Sequence, residues 1–225
     1  MKIATWNVER LEHRKSLDEI ITICKSLQAD ILVLTENDDA IKPNYKYCCH
    51  TPTPPPFDRD GSAPITYESS EHRVSIYTNY PIKCQHETYD KYTALCLELE
   101  TKKGNILVYG TIIGIHGNRR PSFEEDLKKQ ITDFNRFNEE GYNLCICGDF
   151  NCSFSDNYYF THSSRNLITK TFTKCNIQLV TAGCWHGIDH IAISKKFIGE
   201  NPVLISEFHT EKRLSDHKGV SVEFD

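Results

Sequence analysis

The sequence predicts an α/β protein with two packed, mixed and largely antiparallel β-sheets and helices on the outside. Three observations lead to this fold class. Many short segments have the composition of β-strands, and only a few have the apolar spacing of a helix. Hairpin signals between successive strands favour antiparallel pairing, whereas nearly continuous apolar runs need cover on both faces. Two sheets packed face to face beneath outer helices satisfy both requirements.

The composition is that of a globular domain. The 225 residues are 39% hydrophobic and 25% charged, which favours one large domain over residues 1–225 with a sizeable core. The net charge of −5 argues against a protein that coats duplex nucleic acid through a broad basic face. An enzyme that touches only a few phosphates is compatible with that charge.

The ten cysteines favour a reducing compartment. They form no CxxC pair, which argues against a zinc knuckle, and several lie in apolar runs where free thiols pack as small hydrophobes. Met1 leads directly into a strand-like segment rather than a signal peptide, and the sequence lacks the run of about 18 apolar residues that would span a membrane. The sequence therefore predicts a cytoplasmic protein with no membrane partner.

The first predicted strand, Lys2–Val8, brings polar side chains to its carboxyl end. Its β-branched residues and Trp6 favour an extended conformation, and Asn7 and Glu9 lie where it ends. A helix is predicted to begin at Ser16, because an apolar face with helical spacing follows and acidic residues occupy its first turn.

The second predicted strand, Ala29–Leu34, is almost continuously apolar, as expected for a strand covered on both faces. Glu36 follows its end, so a second strand also presents a carboxylate there. The next stretch, Lys42–Ser70, is rich in proline and is predicted to be a long, partly extended surface loop. A loop that flanks a substrate and a passive surface loop both fit this pattern.

Three successive strands and a long helix are predicted in the middle of the chain. The strands are Arg73–Thr78, Thr93–Glu100 and Asn105–Ile115, with a hairpin signal between the last two. Pro121–Asn138 is predicted to be a helix, because its apolar residues recur on one face and acidic residues follow Pro121.

The stretch Leu144–Cys152, LCICGDFNC, carries the strongest sign of a functional site. A short apolar run that ends at Gly148 predicts a buried strand, and α/β proteins tend to place chemistry at the carboxyl end of such strands. If the chain stays extended, Asp149 and Asn151 point to the same spot and offer a carboxylate and an amide. A strand that merely ends in a polar turn is the alternative, because Gly, Asp and Asn are common turn residues.

The last third of the chain predicts a short helix ending near Cys175 and then three strands. These strands are Asp189–Ser194, Val203–Phe208 and Gly219–Phe224. Asp189 begins the first of them, so its carboxylate lies at a strand terminus.

Polar side chains thus recur at strand ends: Asn7 with Glu9, Glu36, Asp149 with Asn151, Asp189, and Asp216 with His217. Converging carboxylates repel one another unless a cation lies between them. The set offers oxygen ligands without a cysteine or multi-histidine cage, so it predicts Mg²⁺ or Mn²⁺ rather than Zn²⁺.

Five ordered segments, TWNVERL, LTE, GDFN, IDHI and LSDHKGVSVEF, resemble the motifs of the endonuclease/exonuclease/phosphatase superfamily, which has the DNase I-like fold. The resemblance runs from residue 3 to residue 224, and it is specific because the motifs occur together and in order. It implies a four-layer α/β sandwich and divalent-metal-dependent hydrolysis of a phosphate ester.

The resemblance also implies a metal side of the site. Glu36 is expected to be the main metal ligand, with Asn7 beside it and Asp216 near the ion. Glu9 departs from the family pattern, in which Asp is frequent at that place. It is expected to reach the metal directly or through a water molecule.

A second group of residues is implied to act on the substrate. Asp149 is expected to orient or deprotonate the attacking water, and Asn151 to bind the scissile phosphate. His217 is expected to contact the phosphate or relay a proton, with Asp189 orienting its ring. A cationic His217 near carboxylates would offset charge on the phosphate oxygens.

His116 and Arg119 are further candidates in the segment IIGIHGNRR. The family often has a His or Tyr near this place that helps to bind the phosphate or the leaving group. His116 is therefore expected in the site and Arg119 on the substrate side, with a solvated loop as the alternative.

The expected enzyme is a metal-dependent nuclease or phosphodiesterase acting on nucleic acid or nucleotides. A phosphomonoesterase on a small or lipid-derived phosphate is the second hypothesis, and a non-catalytic binding module is the third. The sequence does not determine the substrate, endo or exo cleavage, the number of metals, the oligomeric state or the pathway, because one fold supports many substrates.

Overall fold

The structure is a computed structural model that describes residues 1–56, 66–114 and 121–225. Within these ranges the strands are β1 (Lys2–Asn7), β2 (Ile31–Asp38), β3 (Tyr47–His50), β4 (Glu71–Thr78), β5 (Ile82–His86), β6 (Ala94–Thr101), β7 (Gly104–Ile112), β8 (Leu144–Asp149), β9 (Ile177–Leu179), β10 (Asp189–Ser194), β11 (Leu204–Phe208) and β12 (Gly219–Glu223). The α-helices are α1 (Leu17–Ser26), α2 (Pro121–Glu139), α3 (His162–Lys174) and α4 (Lys195–Ile198).

The strands form two six-stranded sheets. The first has the order β11-β12-β1-β2-β4-β3 and the second has the order β5-β6-β7-β8-β10-β9. Each sheet contains one parallel pair, β1 with β2 and β7 with β8, and the other neighbours are antiparallel. The predicted class of two mixed, largely antiparallel sheets is therefore confirmed.

Three apolar clusters show how the layers stack. The central cluster combines residues of both sheets, such as Val33 and Ile76 of the first with Val108 and Cys145 of the second. A second cluster lies between the second sheet and helices α2 and α3, and a third packs α1 against the first sheet. Apolar burial on both faces of each sheet explains the almost continuously apolar strands. The result is the four-layer α/β sandwich.

Three short strands, β3, β5 and β9, were not expected from the sequence. β3 lies inside Lys42–Ser70, which was predicted to be a partly extended surface loop without a paired strand. All three strands are at or near sheet edges, where one side has no partner and the apolar pattern is weak. Among the described residues, no helix is both long and apolar enough to cross a bilayer.

Gly148 is required one residue before the end of β8. Its φ is +134°, and a Cβ there would lie 2.1 Å from the backbone oxygen of Thr111 on the neighbouring strand. A side chain at this position would therefore force β8 away from β7. The glycine lets the strand keep its pairing while it delivers Asp149 to the sheet edge.

Candidate functional site

Strand pairing brings the predicted polar residues to one edge of the sandwich. β1 and β2 run parallel with Asn7 opposite Thr35, so Glu36 follows at the same end of the first sheet. In the second sheet, Asp189 begins β10 directly opposite Asp149 at the end of β8. The Asn7 amide donates to Asp149 Oδ2 at 3.4 Å and so links the two sheets.

Asp149 and Asn151 converge through a turn rather than through an extended chain. The strand ends at Asp149, and Asn151 has a left-handed φ of +47°. The Asn151 backbone N–H donates to Asp149 Oδ1 at 2.8 Å, and its side-chain amide lies 3.2 Å from Asp149 Oδ2. The expected alternation past Gly148 is therefore wrong, although the carboxylate and the amide still meet.

The Asn151 amide is also bonded to the end of the β7 segment. Its Nδ2 donates to the carbonyl oxygens of Ile113 and Gly114, at 3.1 and 2.9 Å. These bonds leave its direction little freedom, because both acceptors belong to the backbone. Asn151 thus presents a fixed amide beside Asp149.

His217 and Asp189 form the tightest polar pair of the site. His217 Nδ1 lies 2.5 Å from Asp189 Oδ2, and the other ring nitrogen lies 3.5 Å from Asp216 Oδ1. His217 and Asp189 are largely buried, whereas the Asp216 side chain is 72% exposed. The bond to Asp189 orients the ring, and Nε2 is left on the outward side near Asp216.

The loop before β12 is held by residues that sequence reasoning did not single out. Leu214 N–H donates to His209 Nε2, so the hydrogen of a neutral His209 ring is on Nδ1 and donates to the His217 carbonyl at 3.1 Å. Trp6 Nε1 donates to the same carbonyl at 3.2 Å. Ser215 Oγ donates to the Asn7 carbonyl at 2.7 Å and accepts from His217 N–H.

The predicted metal-side residues lie around Asn7. The Glu9 backbone N–H donates to Asn7 Oδ1 at 2.8 Å, and Glu9 Oε2 accepts from the Asp216 N–H at 3.1 Å. Glu9 and the half-buried Glu36 have left-handed φ values of +51° and +50°. Such backbone strain in residues other than glycine is concentrated at functional sites in proteins.

The site carries uncompensated negative charge. Burial raises the pKa of Asp149 to about 7, which His217 opposes and Asp189 reinforces. Burial also raises the pKa of Glu36, against the effects of His217 and the Asn7 amide. Burial by itself would lower the pKa of His217, but Asp189 and Asp149 raise it to about 10. His217 is therefore a cation at neutral pH.

The donor atoms at this edge fit a divalent cation. Asp149, Asp189 and His217 offer donor atoms within 4.8 Å of one another. Because His217 already engages Asp189, the carboxylate of Glu36, beside the Asn7 amide, is the better ligand. Crowded carboxylates with raised pKa values are the groups that a hard divalent ion would neutralise. The residues present thus fit Mg²⁺ or Mn²⁺.

Asp189 has one further unusual feature. Its second oxygen, Oδ1, is buried without a hydrogen-bond partner in the described part of the chain. Leaving a buried carboxylate oxygen unpaired costs free energy, and such groups are uncommon away from functional sites. His116 and Arg119 lie outside the described residues, so their placement stays a prediction.

An exposed aromatic stack lies on the loop after β8 and the loop before β10. The Trp185 and His186 rings stack at 5.0 Å, and His186 and Tyr158 stack at 4.6 Å. Trp185 and Tyr158 are 60% and 48% exposed, so both rings offer a face to solvent. Lys218 Nζ, next to His217 in sequence, donates to the Trp185 carbonyl at 2.8 Å.

Asp156 fixes the backbone of the stack. Its carboxylate accepts from Tyr158 N–H at 2.8 Å and from His186 N–H at 2.6 Å. One side chain therefore ties the loop after β8 to the loop before β10. A tryptophan and a histidine directly before the IDHI segment were the signal available in the sequence.

His190 supports β10 from within the core. Its Nε2 bonds to the Cys152 carbonyl at 3.0 Å, and its Nδ1 meets the Thr181 hydroxyl at 2.9 Å. The Thr181 hydroxyl accepts from Ile191 N–H, so it donates to His190 Nδ1 and a neutral ring satisfies every group. Burial lowers the pKa of His190 to about 4.

We expect His190 to make stability pH-dependent between its folded pKa and its unfolded pKa of about 6.5. Below pH 6.5 the unfolded chain takes up a proton that the folded chain refuses until about pH 4. The contribution of His190 to the free energy of unfolding is therefore fully present above pH 6.5. It decreases by up to about 3 kcal/mol as the pH is lowered below that value. Urea unfolding with chelator at pH 7 and pH 4.5 measures the loss.

The matched variant for this prediction is His190→Gln, which cannot take up the proton. Its free energy of unfolding should fall less between the two pH values than that of the wild type. Equal losses in the two proteins would contradict the assignment, whatever the absolute stability of the variant.

The sequence profile described as the Endonuclease/Exonuclease/phosphatase family matches residues 4–217. No curated protein sequence matches this chain significantly. The profile match reaches from β1 to His217 and covers every described candidate residue of the site, with β12 beyond its end.

Several solved structures share the fold. The 3′ phosphatase NExo from Neisseria, bound to a product DNA hairpin, has a TM-score of 0.71 at 18% identity, covering 100% of this chain and 99% of that one. An AP endonuclease from Archaeoglobus fulgidus has a TM-score of 0.69 at 14% identity, with 100% and 99% covered. Beta toxin from Staphylococcus aureus, with bound magnesium ions, has a TM-score of 0.64 at 14% identity, also with 100% and 99% covered.

Proposed function

The chain belongs to the endonuclease/exonuclease/phosphatase family of divalent-metal-dependent phosphate ester hydrolases, and on that premise we propose that it is a nuclease or phosphodiesterase. Its proposed substrates are phosphodiester bonds of nucleic acid or nucleotides. One observation carries the proposal: the His217–Asp189 pair lies beside the buried carboxylate of Asp149, with the Asn7 and Asn151 amides against the same carboxylate.

The chemistry of diester hydrolysis requires a base, an anion-binding group and charge neutralisation. A bound Mg²⁺ or Mn²⁺ would supply Lewis-acid stabilisation of the phosphate oxygens, held by Glu36, Asn7, Asp216 and Glu9. Asp149 has a raised pKa of about 7, so its carboxylate is a competent acceptor for a proton of the attacking water near neutral pH. Burial and the fixed Asn7 and Asn151 amides orient that carboxylate.

The proposed role of His217 follows from its charge and orientation. Asp189 holds Nδ1, so Nε2–H is directed outward and can donate to a phosphate oxygen. A fixed imidazolium stabilises the charge that develops in the transition state without reorganising. The Asn151 amide is proposed to bind a second oxygen of the same phosphate, which requires one Nδ2 hydrogen to turn from its backbone carbonyl to the substrate.

The aromatic stack favours nucleic acid over a substrate without bases. Exposed aromatic faces stack on nucleobases without regard to sequence. Trp185 and Tyr158 provide such faces, and the Trp185 carbonyl is bonded to the residue after His217. The net charge of −5 favours a short single-stranded segment or a nucleotide over a broad duplex interface. Similar structures include one with a DNA hairpin product.

The direct test is a substrate panel. The protein is incubated with single-stranded DNA, duplex DNA, RNA and a small phosphodiester, each with Mg²⁺, Mn²⁺ or chelator. Metal-dependent cleavage of a polymer or a dinucleotide supports the proposal. Phosphate release from monoesters alone, or no turnover under any condition, would sink it.

A second candidate is removal of a terminal phosphate from nucleic acid. The observation that favours it is the similarity, over nearly the full length of both chains, to a structure described as a 3′ phosphatase. The same panel distinguishes the two functions when it includes an oligonucleotide with a 3′ phosphate, because a phosphatase leaves the chain length unchanged.

We expect Trp185→Ala to weaken nucleic-acid binding selectively. Base stacking on an aromatic side chain contributes about 1–3 kcal/mol, so KM for an oligonucleotide should rise roughly fivefold or more. The rate on a small alkyl phosphodiester, which has no base, should change little. Steady-state kinetics on the two substrates measure the difference.

Leu204→Ala is the control for that comparison, because it removes another exposed apolar side chain, on β11 and outside the site. It should leave both KM values unchanged. Equal effects of Trp185→Ala on the oligonucleotide and on the small diester would exclude a stacking role.

The remaining parts of the proposal concern the whole chain. We propose that residues 1–225 act as one catalytic domain, since the candidate site combines residues from β1, the first strand, to the loop before β12, the last strand. We also propose a cytoplasmic location, because all ten cysteines are free thiols.

A further inference from the structure

A second cluster of ligand-type side chains lies on the outer strands of the second sheet. Cys84 and His86 are two residues apart on the edge strand β5, and Glu98 lies opposite Cys84 on β6. β6 and β7 separate β5 from β8, which places the cluster roughly 14 Å from the strand of Asp149. It is therefore a separate feature from the proposed catalytic site.

The three side chains converge on one point. Cys84 Sγ lies 3.3 Å from His86 Nε2 and 3.4 Å from Glu98 Oε2, and His86 Nε2 lies 3.5 Å from the same oxygen. The three atoms thus form a nearly equilateral triangle. Cys84 is exposed, His86 is half-buried and Glu98 is buried, so the triangle is open to solvent on the cysteine side.

This triangle has the size of one face of a tetrahedral metal site. Metal–sulfur bonds of about 2.3 Å and metal–nitrogen or metal–oxygen bonds of about 2.0–2.2 Å at tetrahedral angles require edges of roughly 3.5–3.7 Å to sulfur and roughly 3.3–3.6 Å between nitrogen and oxygen. The observed nitrogen–oxygen edge of 3.5 Å lies in its range, and the two sulfur edges of 3.3 and 3.4 Å reach theirs when the sulfur moves outward by roughly a few tenths of an ångström. A bound ion would leave a fourth coordination position on the open side.

Hydrogen bonds from neighbouring side chains orient the Glu98 carboxylate so that it can act as an anionic ligand. Its other oxygen, Oε1, accepts from Lys83 Nζ at 2.9 Å and from the Asn105 amide at 2.7 Å, so Oε2 is left to face the triangle. Partners that hold the distal oxygen are typical of metal-binding carboxylates.

The ring of His86 is also positioned by its neighbours. Phe137 and Tyr142 pack edge-on against it at 5.5 and 5.3 Å between ring centroids. Both aromatic residues lie at the end of α2 or just after it. The imidazole is therefore held from the helix layer while Nε2 faces Cys84 and Glu98.

The geometry argues against a cysteine nucleophile. In a nucleophile–histidine–carboxylate triad, the carboxylate binds the ring nitrogen that the nucleophile does not use. Here Cys84 and Glu98 both approach the same nitrogen, His86 Nε2. Convergence on one nitrogen and one point suits a shared ion and does not suit a proton relay.

We propose that Cys84, His86 and Glu98 bind one transition-metal ion of the zinc class. Thiolate and imidazole ligands select zinc-like ions over Mg²⁺, so this ion differs from the one expected at the catalytic edge. On binding, the Cys84 thiol loses its proton to solvent, an S–metal bond forms, and His86 and Glu98 donate lone pairs. No change of oxidation state is involved.

A second candidate group in the first sheet shows why geometry matters. Asp39, His50 and His72 also have donor atoms close together. The two imidazole rings are stacked face to face, 4.1 Å apart and 12° from parallel. Stacked rings cannot both direct an in-plane lone pair at one ion, so this group is not a comparable site.

The test uses Co²⁺ as a spectroscopic probe on the full chain, reduced and freed of metal. The wild type should show thiolate-to-cobalt charge-transfer absorption that saturates at one Co²⁺ per Cys84, and added Zn²⁺ should remove this absorption whereas excess Mg²⁺ should not. Cys84→Ser should abolish the band. Asp149→Asn should keep it, which separates this site from the catalytic one.

Cys48→Ser is the matched control, because Cys48 is also an exposed cysteine two residues before a histidine on an edge strand. This variant should keep the band, and Zn²⁺ should raise Tm in the wild type and in Cys48→Ser more than in Cys84→Ser. A wild type without the band, or a band that survives in Cys84→Ser, would overturn the proposal. Circular dichroism verifies that each variant is folded.

Discussion

Asp149→Asn is expected to reduce kcat on a cleavable substrate by about 10³-fold, because an amide cannot accept the proton of the attacking water. The substitution keeps the shape of the side chain and its place at the end of β8. Its effect should therefore fall on turnover much more than on substrate binding. Single-turnover cleavage with Mg²⁺ and a direct binding measurement give the two quantities.

Thermal unfolding supplies the folding control for this variant. Burial raises the pKa of Asp149 to about 7, so in the absence of metal the wild type loses stability as pH rises from the usual carboxyl pKa through that value. Asparagine carries no charge and avoids that loss. At pH 8 with chelator, the Tm of Asp149→Asn should equal or exceed that of the wild type.

Asp18→Asn is a useful comparison, since it removes an exposed carboxylate from the first turn of α1. It should leave kcat unchanged. If Asp149→Asn kept a rate within tenfold of the wild type, the assignment of Asp149 as the base would be wrong.

His217→Ala is expected to lower kcat by about 10²- to 10³-fold, because it removes a fixed cationic donor to the phosphate. Asp189 would then be left buried without its partner, so the variant is also expected to be less stable. His162→Ala, at the exposed start of α3, is the control and should retain full activity. An active and folded His217→Ala protein would exclude the proposed role.

Asp189→Asn tests whether Asp189 acts by orienting His217 and keeping it charged or only by packing against it. Burial lowers the pKa of His217, and Asp189 and Asp149 together raise it to about 10, so the wild type keeps a cationic His217 up to high pH. With the Asp189 charge removed, that pKa should fall towards 6.5. The alkaline limb of the kcat profile should therefore move to lower pH, a shift that a purely structural role would not produce.

Local patterns in the sequence identified most strands and the polar residues at their ends that meet at the site. The apolar runs ending at Glu36 and Asp149 are buried on both faces, and this two-sided burial is what makes them visible as strands. The edge strands β3, β5 and β9 have weaker apolar patterns, so no comparable signal marked them. The predicted family and fold class are confirmed by the profile match and the sheet topology.

The contacts that form the site join residues far apart in the chain, so local sequence patterns do not reveal them. The Asn7–Asp149 bond joins residues 142 positions apart, and the His217–Asp189 bond spans 28 positions. The turn at Asn151 and the exposure of Trp185 depend on backbone dihedrals and loop bonds that periodicity does not report. The same holds for the triangle on β5 and β6, which requires a particular register between two strands.

The sequence by itself determined which strands are buried, which polar residues end them and in what order the motifs occur. Burial and local propensity act over a few neighbouring residues, so strands and helices can be predicted from the spacing of apolar residues in the sequence. The family resemblance implied the contact of Asp189 with His217, whereas only the tertiary structure decided that Asn151 turns back onto Asp149 and that Cys84 meets Glu98. Those pairings follow from strand register and from loops fixed by distant hydrogen bonds, which no local pattern encodes.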